Sequence, residues 1–176
     1  MIAIIVVVAA LAVPAVQRTI KSQGIRNGAD RIRVAMGQAR VKAIRAGEVH
    51  AMFYFQNGNW FHVAPLTQFR EVASLQSARE RTMQTRTQKD LEEDILPQGV
   101  QFVAGQTSSD SRSAASMEDV SSAGQGMEMV LFYPDGTSQD AKLTLQNEMG
   151  DQWVIELRGL TGTASSMRID PQSGSR

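Results

Sequence analysis

The chain has 176 residues, enough for one compact domain with an appendage but too few for two ordinary domains. Its 18 basic and 18 acidic side chains cancel, so the net charge points neither to nucleic acid nor to an acidic substrate. The absence of cysteine excludes disulfides, thiolate nucleophiles and cysteine-based metal sites.

The charges are unevenly distributed along the chain. Residues 1–47 carry eight basic side chains and one acid, Asp30, whereas the chain from Ile95 onward carries ten acids and five bases. A basic stem and an acidic head predict attraction between neighbouring copies at close range, where salt screens charges incompletely. The alternative is a basic helix that is simply solvated.

The first segment, residues 2–16, reads IAIIVVVAALAVPAV and carries no charge. Such a helix needs lipid or other helices to cover it, and it spans about 22 Å, less than the roughly 30 Å of a bilayer core. We therefore expect a membrane-embedded helix of which the upstream part is missing, with Met1 a misassigned or truncated start. The residues expected to contact lipid or neighbouring helices are Ile2, Ile4, Ile5, Val6, Val7, Val8, Leu11, Val13 and Pro14.

A cleaved secretory signal peptide is the alternative for this segment, and it would leave an exported β-rich domain. Ala10-Leu11-Ala12 has the small residues of a cleavage site behind an apolar stretch. No basic residue precedes the run, however, and Pro14 lies where the helix should continue. Proline is tolerated in a membrane helix, where neighbouring groups satisfy the carbonyl that it frees.

After Val16 the pattern becomes amphipathic, which predicts that the same helix continues as a stem over residues 17–46. Gly47 is the predicted stop, since glycine adopts the left-handed conformation that ends helices. Glycines weaken a helix by up to about 1 kcal/mol each, so we expect bending or melting near residues 24–28. One face of the stem is apolar at steps of three and four residues and is expected to pack on the head: Ile25, Ala29, Ile32, Met36, Ala39 and Ala43.

After the stem the period becomes that of strands, with a hairpin signal at Asn57-Gly58. A turn at these two residues pairs Tyr54 with Phe61. This register directs His50 and His62, the only two histidines, to opposite faces. They therefore cannot share a metal.

Further strands are predicted at 100–103, 127–133, 141–146, 152–157 and 167–169. The three from residue 127 to residue 157 are expected to form an antiparallel meander. The predicted fold class is therefore α+β: a long N-terminal helix (1–47) packed on a small antiparallel sheet head (48–170), followed by a tail (171–176).

Two stretches of the head lack strand character. Residues 64–94 mix charge signs at helical spacing, which favours a surface insertion in the sheet, either a helix buried along Phe69, Val72 and Leu75 or a loop. Residues 104–126 are rich in serine, glycine and alanine, which predicts a long flexible loop.

Several segments, taken in order, resemble those of one family. The apolar run with Pro14 resembles the pilin N-terminal helix, and residues 39–47 resemble the end of that helix, where small and basic residues lead into the first strand. Three later segments also match: 96–100, 132–137 and 160–162. Together they resemble a minor pseudopilin of the type II secretion system, in the GspH/FimT-like branch of the type IV pilin superfamily.

The resemblance implies a pilin-like fold and a structural subunit without a cofactor. Such subunits have a single span in the inner membrane and a periplasmic head, and they pack their N-terminal helices together into a pseudopilus. The implied partners are therefore other pseudopilins, the inner membrane and the secretion machinery that exports proteins across the outer membrane.

Two departures from the family pattern matter. The prepilin leader, its peptidase-site glycine, the phenylalanine that becomes the methylated N-terminus and a nearby glutamate have no counterpart in this sequence. A FimT-like minor pilin of a type IV pilus is the alternative, and some such pilins bind DNA through arginines near the C-terminal glycine. Residues 162–166 contain no arginine, so no nucleic-acid partner is expected.

An enzyme is not predicted. The sequence lacks Gly-x-Ser-x-Gly, His-Glu-x-x-His, Gly-x-x-x-x-Gly-Lys and carboxylates paired at a useful spacing. The acidic run 92–94 is interpreted as a solvated charge run, and Asp135 as a turn former.

Overall fold

The computed structural model describes residues 2–68, 95–108 and 127–169, with side chains of the helix described from Ser22 onward. A long helix, α1 (Ile2–Ala46), precedes the strands of the head. The strands are β1 (His50–Phe55), β2 (Phe61–Pro65), β3 (Val100–Thr107), β4 (Met127–Phe132), β5 (Ala141–Asn147), β6 (Gln152–Arg158) and β7 (Thr163–Ile169), and a 3-10 turn (Leu66–Gln68) follows β2.

Helix α1 is continuous, including at Pro14 and through residues 24–28, where the sequence predicted bending or melting. The predicted melting is wrong, because the head supports this stretch: Gly28 is buried, and a Cβ there would lie 3.3 Å from Pro97 Cδ. The predicted bend stays a prediction. Gly47 ends the helix as predicted, with a φ of 68° and its N–H donating to Ala43 O at 3.0 Å.

The strands form two antiparallel sheets, in the orders β2-β1-β4 and β3-β5-β6-β7. The expected α+β class is confirmed, but the prediction of a single small sheet is wrong. β4 leaves the predicted meander and pairs with β1, matching His50 with Phe132, while β3 takes the place beside β5. The two sheets are joined at the hairpin turn, where Asn57 N–H donates to Phe102 O of β3 and Phe102 N–H donates to Gly58 O, at 2.8 and 2.9 Å.

The predicted hairpin register is confirmed, since Tyr54 pairs with Phe61 and Phe53 with His62. His50 therefore lies on the face of Tyr54, and His62 on the face of Phe53. Asn57 has a φ of 61°, the left-handed conformation that asparagine tolerates in turns.

Several predicted boundaries shift. β3 continues to Thr107, so 104–107 belong to a strand rather than to the predicted loop 104–126. β2 continues to Pro65, into the predicted insertion 64–94, and β7 has seven residues instead of the three at 167–169. The rest of both stretches, the stripe Phe69, Val72 and Leu75, the acidic run 92–94 and the tail 171–176 lie outside the described residues.

Buried side chains form two clusters. The larger lies between α1 and the two sheets and includes Ile32, Phe102 and Leu143. The smaller lies on the other face of the first sheet, around Phe53 and Leu131. The first sheet is thus buried on both faces, whereas the alternating burial of β7 shows that the second sheet ends at an exposed strand.

Candidate assembly surface

The stem face that the sequence predicted to meet the head is buried. Ile25 is 1% exposed and the other five residues, Ala29, Ile32, Met36, Ala39 and Ala43, are 0% exposed. Alanines let the strands approach the helix closely, and the three larger side chains supply apolar area worth about 1.5–3 kcal/mol each. The stem and the head therefore share one core.

Three arginines beside this face donate hydrogen bonds to backbone carbonyls of the head. The pairs are Arg31 with Ile95 (3.1 Å), Arg33 with Ala164 (3.3 Å) and Arg40 with Gly136 (2.8 Å). These bonds could not be predicted from the sequence, because basic residues on a helix also fit a solvated surface. The available signal was the seven-residue spacing of Arg33 and Arg40, which puts both on one flank of the helix.

Arg40 lies where two turns of the head meet the stem. Its Nε donates to Gly136 O in the turn between β4 and β5. Gly162, in the turn between β6 and β7, packs so closely that a Cβ there would lie 2.6 Å from Arg40 Cδ. Segments 39–47, 132–137 and 160–162, three of those that carry the sequence resemblance, therefore meet in space around Arg40.

The opposite face of the stem carries exposed apolar residues. Val34 is 58% exposed, Val41 45% and Ile44 48%. A Cβ at Gly37, between them, would have no neighbour within 4 Å. Val34 and Val41 face away from the head, whereas Ile44 lies beside the turn between β4 and β5, where a Cβ at Gly136 would be 3.4 Å from Ile44 Cδ1. The exposed parts of these side chains are available to another molecule.

The residues predicted to contact lipid or neighbouring helices precede this region. All of them belong to α1, but their side chains lie outside the described residues: Ile2, Ile4, Ile5, Val6, Val7, Val8, Leu11, Val13 and Pro14. Within the described residues, no helical stretch is long and apolar enough to cross a membrane.

One polar pair inside the head links β1 to β4. Tyr54 is fully buried and donates to the half-buried carboxylate of Glu128 on the neighbouring strand. Burial first, and then the bond to Glu128, raise the pKa of Tyr54 far above its ordinary value. Gly105 of β3 packs directly on this pair, where a side chain would not fit. The pair therefore fixes the contact between the two sheets.

Within the described ranges, no three histidine, aspartate or glutamate side chains are placed to hold a metal ion. Asp135 accepts hydrogen bonds from the N–H and the hydroxyl of Thr137, at 2.9 and 2.6 Å, as a turn former does. The features that stand out are surfaces for packing.

Comparison with known proteins gives one structural likeness. No family model and no curated protein matches this sequence. Among solved structures, the chain is similar to the minor pseudopilin EpsH from the type 2 secretion system of Vibrio cholerae, with a TM-score of 0.47 and 12% sequence identity. The match covers 84% of this chain and 98% of that one. A likeness at this level carries no argument about function.

Proposed function

We propose that this chain is a non-enzymatic structural subunit of a helical cell-envelope fibre, a minor pseudopilin of a type II secretion pseudopilus. The observation that carries the proposal is the unbroken helix α1, which joins the apolar run 2–16 to a stem face buried against the head. One rod thus combines a segment that needs apolar surroundings with a segment that carries a folded domain.

The geometry of this rod suits a subunit that moves from membrane to fibre. Ile25 lies nine positions after Val16, so the buried stem face begins about 13 Å beyond the apolar run, which leaves room for lipid headgroups below the head. Lipid and a bundle of similar helices both surround apolar side chains favourably, so extraction into a nearby fibre costs little free energy. In this proposal the span lies in the inner membrane and the head in the periplasm.

The partners follow from the same arrangement. Other pseudopilins pack against the apolar run, and the secretion machinery adds the subunit to the fibre that drives export across the outer membrane. A type IV pilus minor pilin shares this plan, so the test must separate secretion from pilus functions.

The test is complementation of a deletion strain in the source bacterium, with membrane retention in alkaline carbonate as a second readout. Val8→Arg places a charge inside the apolar run, at a cost of about 2.5–3.5 kcal/mol for insertion. Leu160→Arg is the matched control, because Leu160 is 86% exposed in the head. We expect the parent and Leu160→Arg to remain in the membrane and restore secretion, and Val8→Arg to do neither.

Two outcomes would overturn the proposal. The first is recovery of a freely soluble mature chain that begins after Ala12. The second is a deletion strain that secretes normally but loses pilus-dependent motility or DNA uptake, which would assign the chain to a type IV pilus.

A further inference from the structure

The outer edges of the two sheets differ in how they are covered. In the described residues, two of the four edges have partners from elsewhere in the head, and a third edge is short. Phe102 on β3 bonds to the hairpin turn, and Leu131 on β4 exchanges hydrogen bonds with Gln139. β2 has five residues, ends in Pro65 and follows the bridge between Trp60 and Ile95. The fourth edge, that of β7, is different.

The direction of the backbone groups on β7 follows from the strand pairing. Asn147 N–H donates to Asp151 O, and hydrogen-bonded pairs alternate along an antiparallel ladder. The odd-numbered residues of β6 therefore bond to β5 and the even-numbered ones to β7. By the same alternation, the N–H and C=O groups of Ala164, Ser166 and Arg168 point away from the sheet.

Within the described ranges, the contact made by this outward edge is a side-chain bond: Arg33 Nε donates to Ala164 O at 3.3 Å. Among the strands that the structure describes, none lies beside the backbone groups of Ser166 and Arg168, which continue the edge. An uncovered row of alternating donors and acceptors is a template for an added strand.

The stem flank above this edge is basic. Arg26, Arg33 and Arg40 follow one another at seven-residue intervals and therefore share a flank of α1. This flank runs along β7, since Arg40 packs against Gly162 and Arg33 bonds to Ala164. Arg168, in β7 itself, adds a fourth guanidinium. The open edge is thus lined by positive charge.

We propose that the outer edge of β7 binds an extended acidic segment of a partner protein as an additional strand, with the arginines of the stem flank contacting its carboxylates. Peptide backbone supplies the alternating acceptors and donors that the edge requires, whereas a nucleic-acid phosphate only accepts hydrogen bonds. Asp30, paired with Arg33, and Asp151, paired with Arg168, offset part of the positive charge along this edge. This inference does not depend on the proposed fibre.

The experiment measures binding of a fluorescein-labelled peptide of alternating glutamate and valine to the full chain in uncharged detergent micelles, by fluorescence anisotropy. Two control peptides replace every glutamate by lysine or carry N-methyl groups on alternate residues, which blocks one backbone edge. We expect binding of the acidic peptide only, weakening as salt is raised.

Variants locate the site. Ser166→Pro removes an outward N–H and leaves the bonds between β6 and β7 intact, so we expect about a tenfold loss of affinity with little change in thermal stability. Arg33→Gln should weaken binding about threefold and reduce its salt dependence. Lys42→Gln makes the same charge change on the other side of the stem and should bind like the parent.

Three results would overturn the inference. They are equal binding by the N-methylated peptide, unchanged binding by both Ser166→Pro and Arg33→Gln, and binding of an oligothymidylate in place of the acidic peptide, lost in Arg33→Gln. The last would assign the basic flank to nucleic acid instead.

Discussion

The two faces of the stem offer the clearest comparison in this molecule. Ile32 and Met36 are 0% exposed, whereas Val34, between them in sequence, is 58% exposed. One side of the helix is thus buried and the other is exposed, because the head packs on one side only. Apolar residues on the outward face add little to the fold, so their exposed parts are free to contact another molecule.

A pair of core and surface substitutions tests this comparison with the largest expected effect. Met36→Ala should lower the free energy of unfolding by about 2–5 kcal/mol, because it leaves a cavity between the stem and the strands. Val41→Ala should change it by less than about 0.5 kcal/mol. Denaturant unfolding of the full chain in uncharged detergent measures both, and equal losses would contradict the assignment of the faces.

Gly162→Ala tests the close approach of the head to Arg40. The residue has a φ of 60°, and its Cβ would lie 2.6 Å from Arg40 Cδ, so we expect a loss of about 2–3 kcal/mol. Gly150→Ala is the matched control, because Gly150 also has a positive φ but its nearest neighbour would be 3.9 Å away. If Gly162→Ala lowers the free energy of unfolding by no more than Gly150→Ala does, backbone strain alone accounts for the loss.

Arg40→Met tests the hydrogen bond in the same region, because it removes the donor but keeps an unbranched side chain. We expect a loss of about 1–2 kcal/mol from the unpaired carbonyl of Gly136. Lys42→Met, at an exposed position of the same helix, should be nearly neutral. A neutral Arg40→Met would mean that packing of the turns, rather than this bond, holds them to the stem.

The Tyr54–Glu128 pair predicts a loss of stability at high pH. The folded state raises the pKa of Tyr54, so above about pH 10 the unfolded state loses this proton while the folded state keeps it. This group therefore contributes stability that falls by about 1.4 kcal/mol per pH unit above that point. Unfolding measured at pH 9 and pH 11 should show a smaller decline in Tyr54→Phe, and parallel declines would contradict the buried pair.

Alanine substitutions at two helix glycines have the smallest expected effects on stability, and neither is expected to destabilise the chain. Gly37→Ala should stabilise the chain by up to about 1 kcal/mol, since a Cβ there meets nothing within 4 Å. Gly28→Ala should give less benefit or none, because its Cβ would crowd Pro97 Cδ at 3.3 Å and Val100 Cγ1 at 3.4 Å. Thermal unfolding of the two variants compares them directly, and an equal gain would mean that the turn at Pro97 moves aside easily.

Features set by neighbouring residues could be predicted from the sequence. Gly47 ends the stem, the hairpin pairs Tyr54 with Phe61, and the helix has one apolar face, each decided within a few residues of chain. The role of residues 2–14 stays a prediction, because their side chains lie outside the described residues.

Features set by distant contacts were missed. Pairing of β1 with β4 joins His50 to Phe132, and no local pattern specifies which strand will lie beside another. β7 was predicted too short because Thr163, Ser165 and Ser166 are small and polar, as in a loop. The carbonyl bonds of Arg33 and Arg40 depend on turns that come together only in the folded head.

The pairing of β1 with β4 also constrains the timing of folding. When β1 and β2 have been synthesised, their shared sheet still lacks the strand that covers β1, and that strand ends at Phe132. A two-stranded hairpin alone is marginally stable, and an uncovered strand edge favours aggregation. The first sheet therefore remains incomplete during most of translation, and a chain cut short before Met127 is expected to be degraded rather than to fold in part.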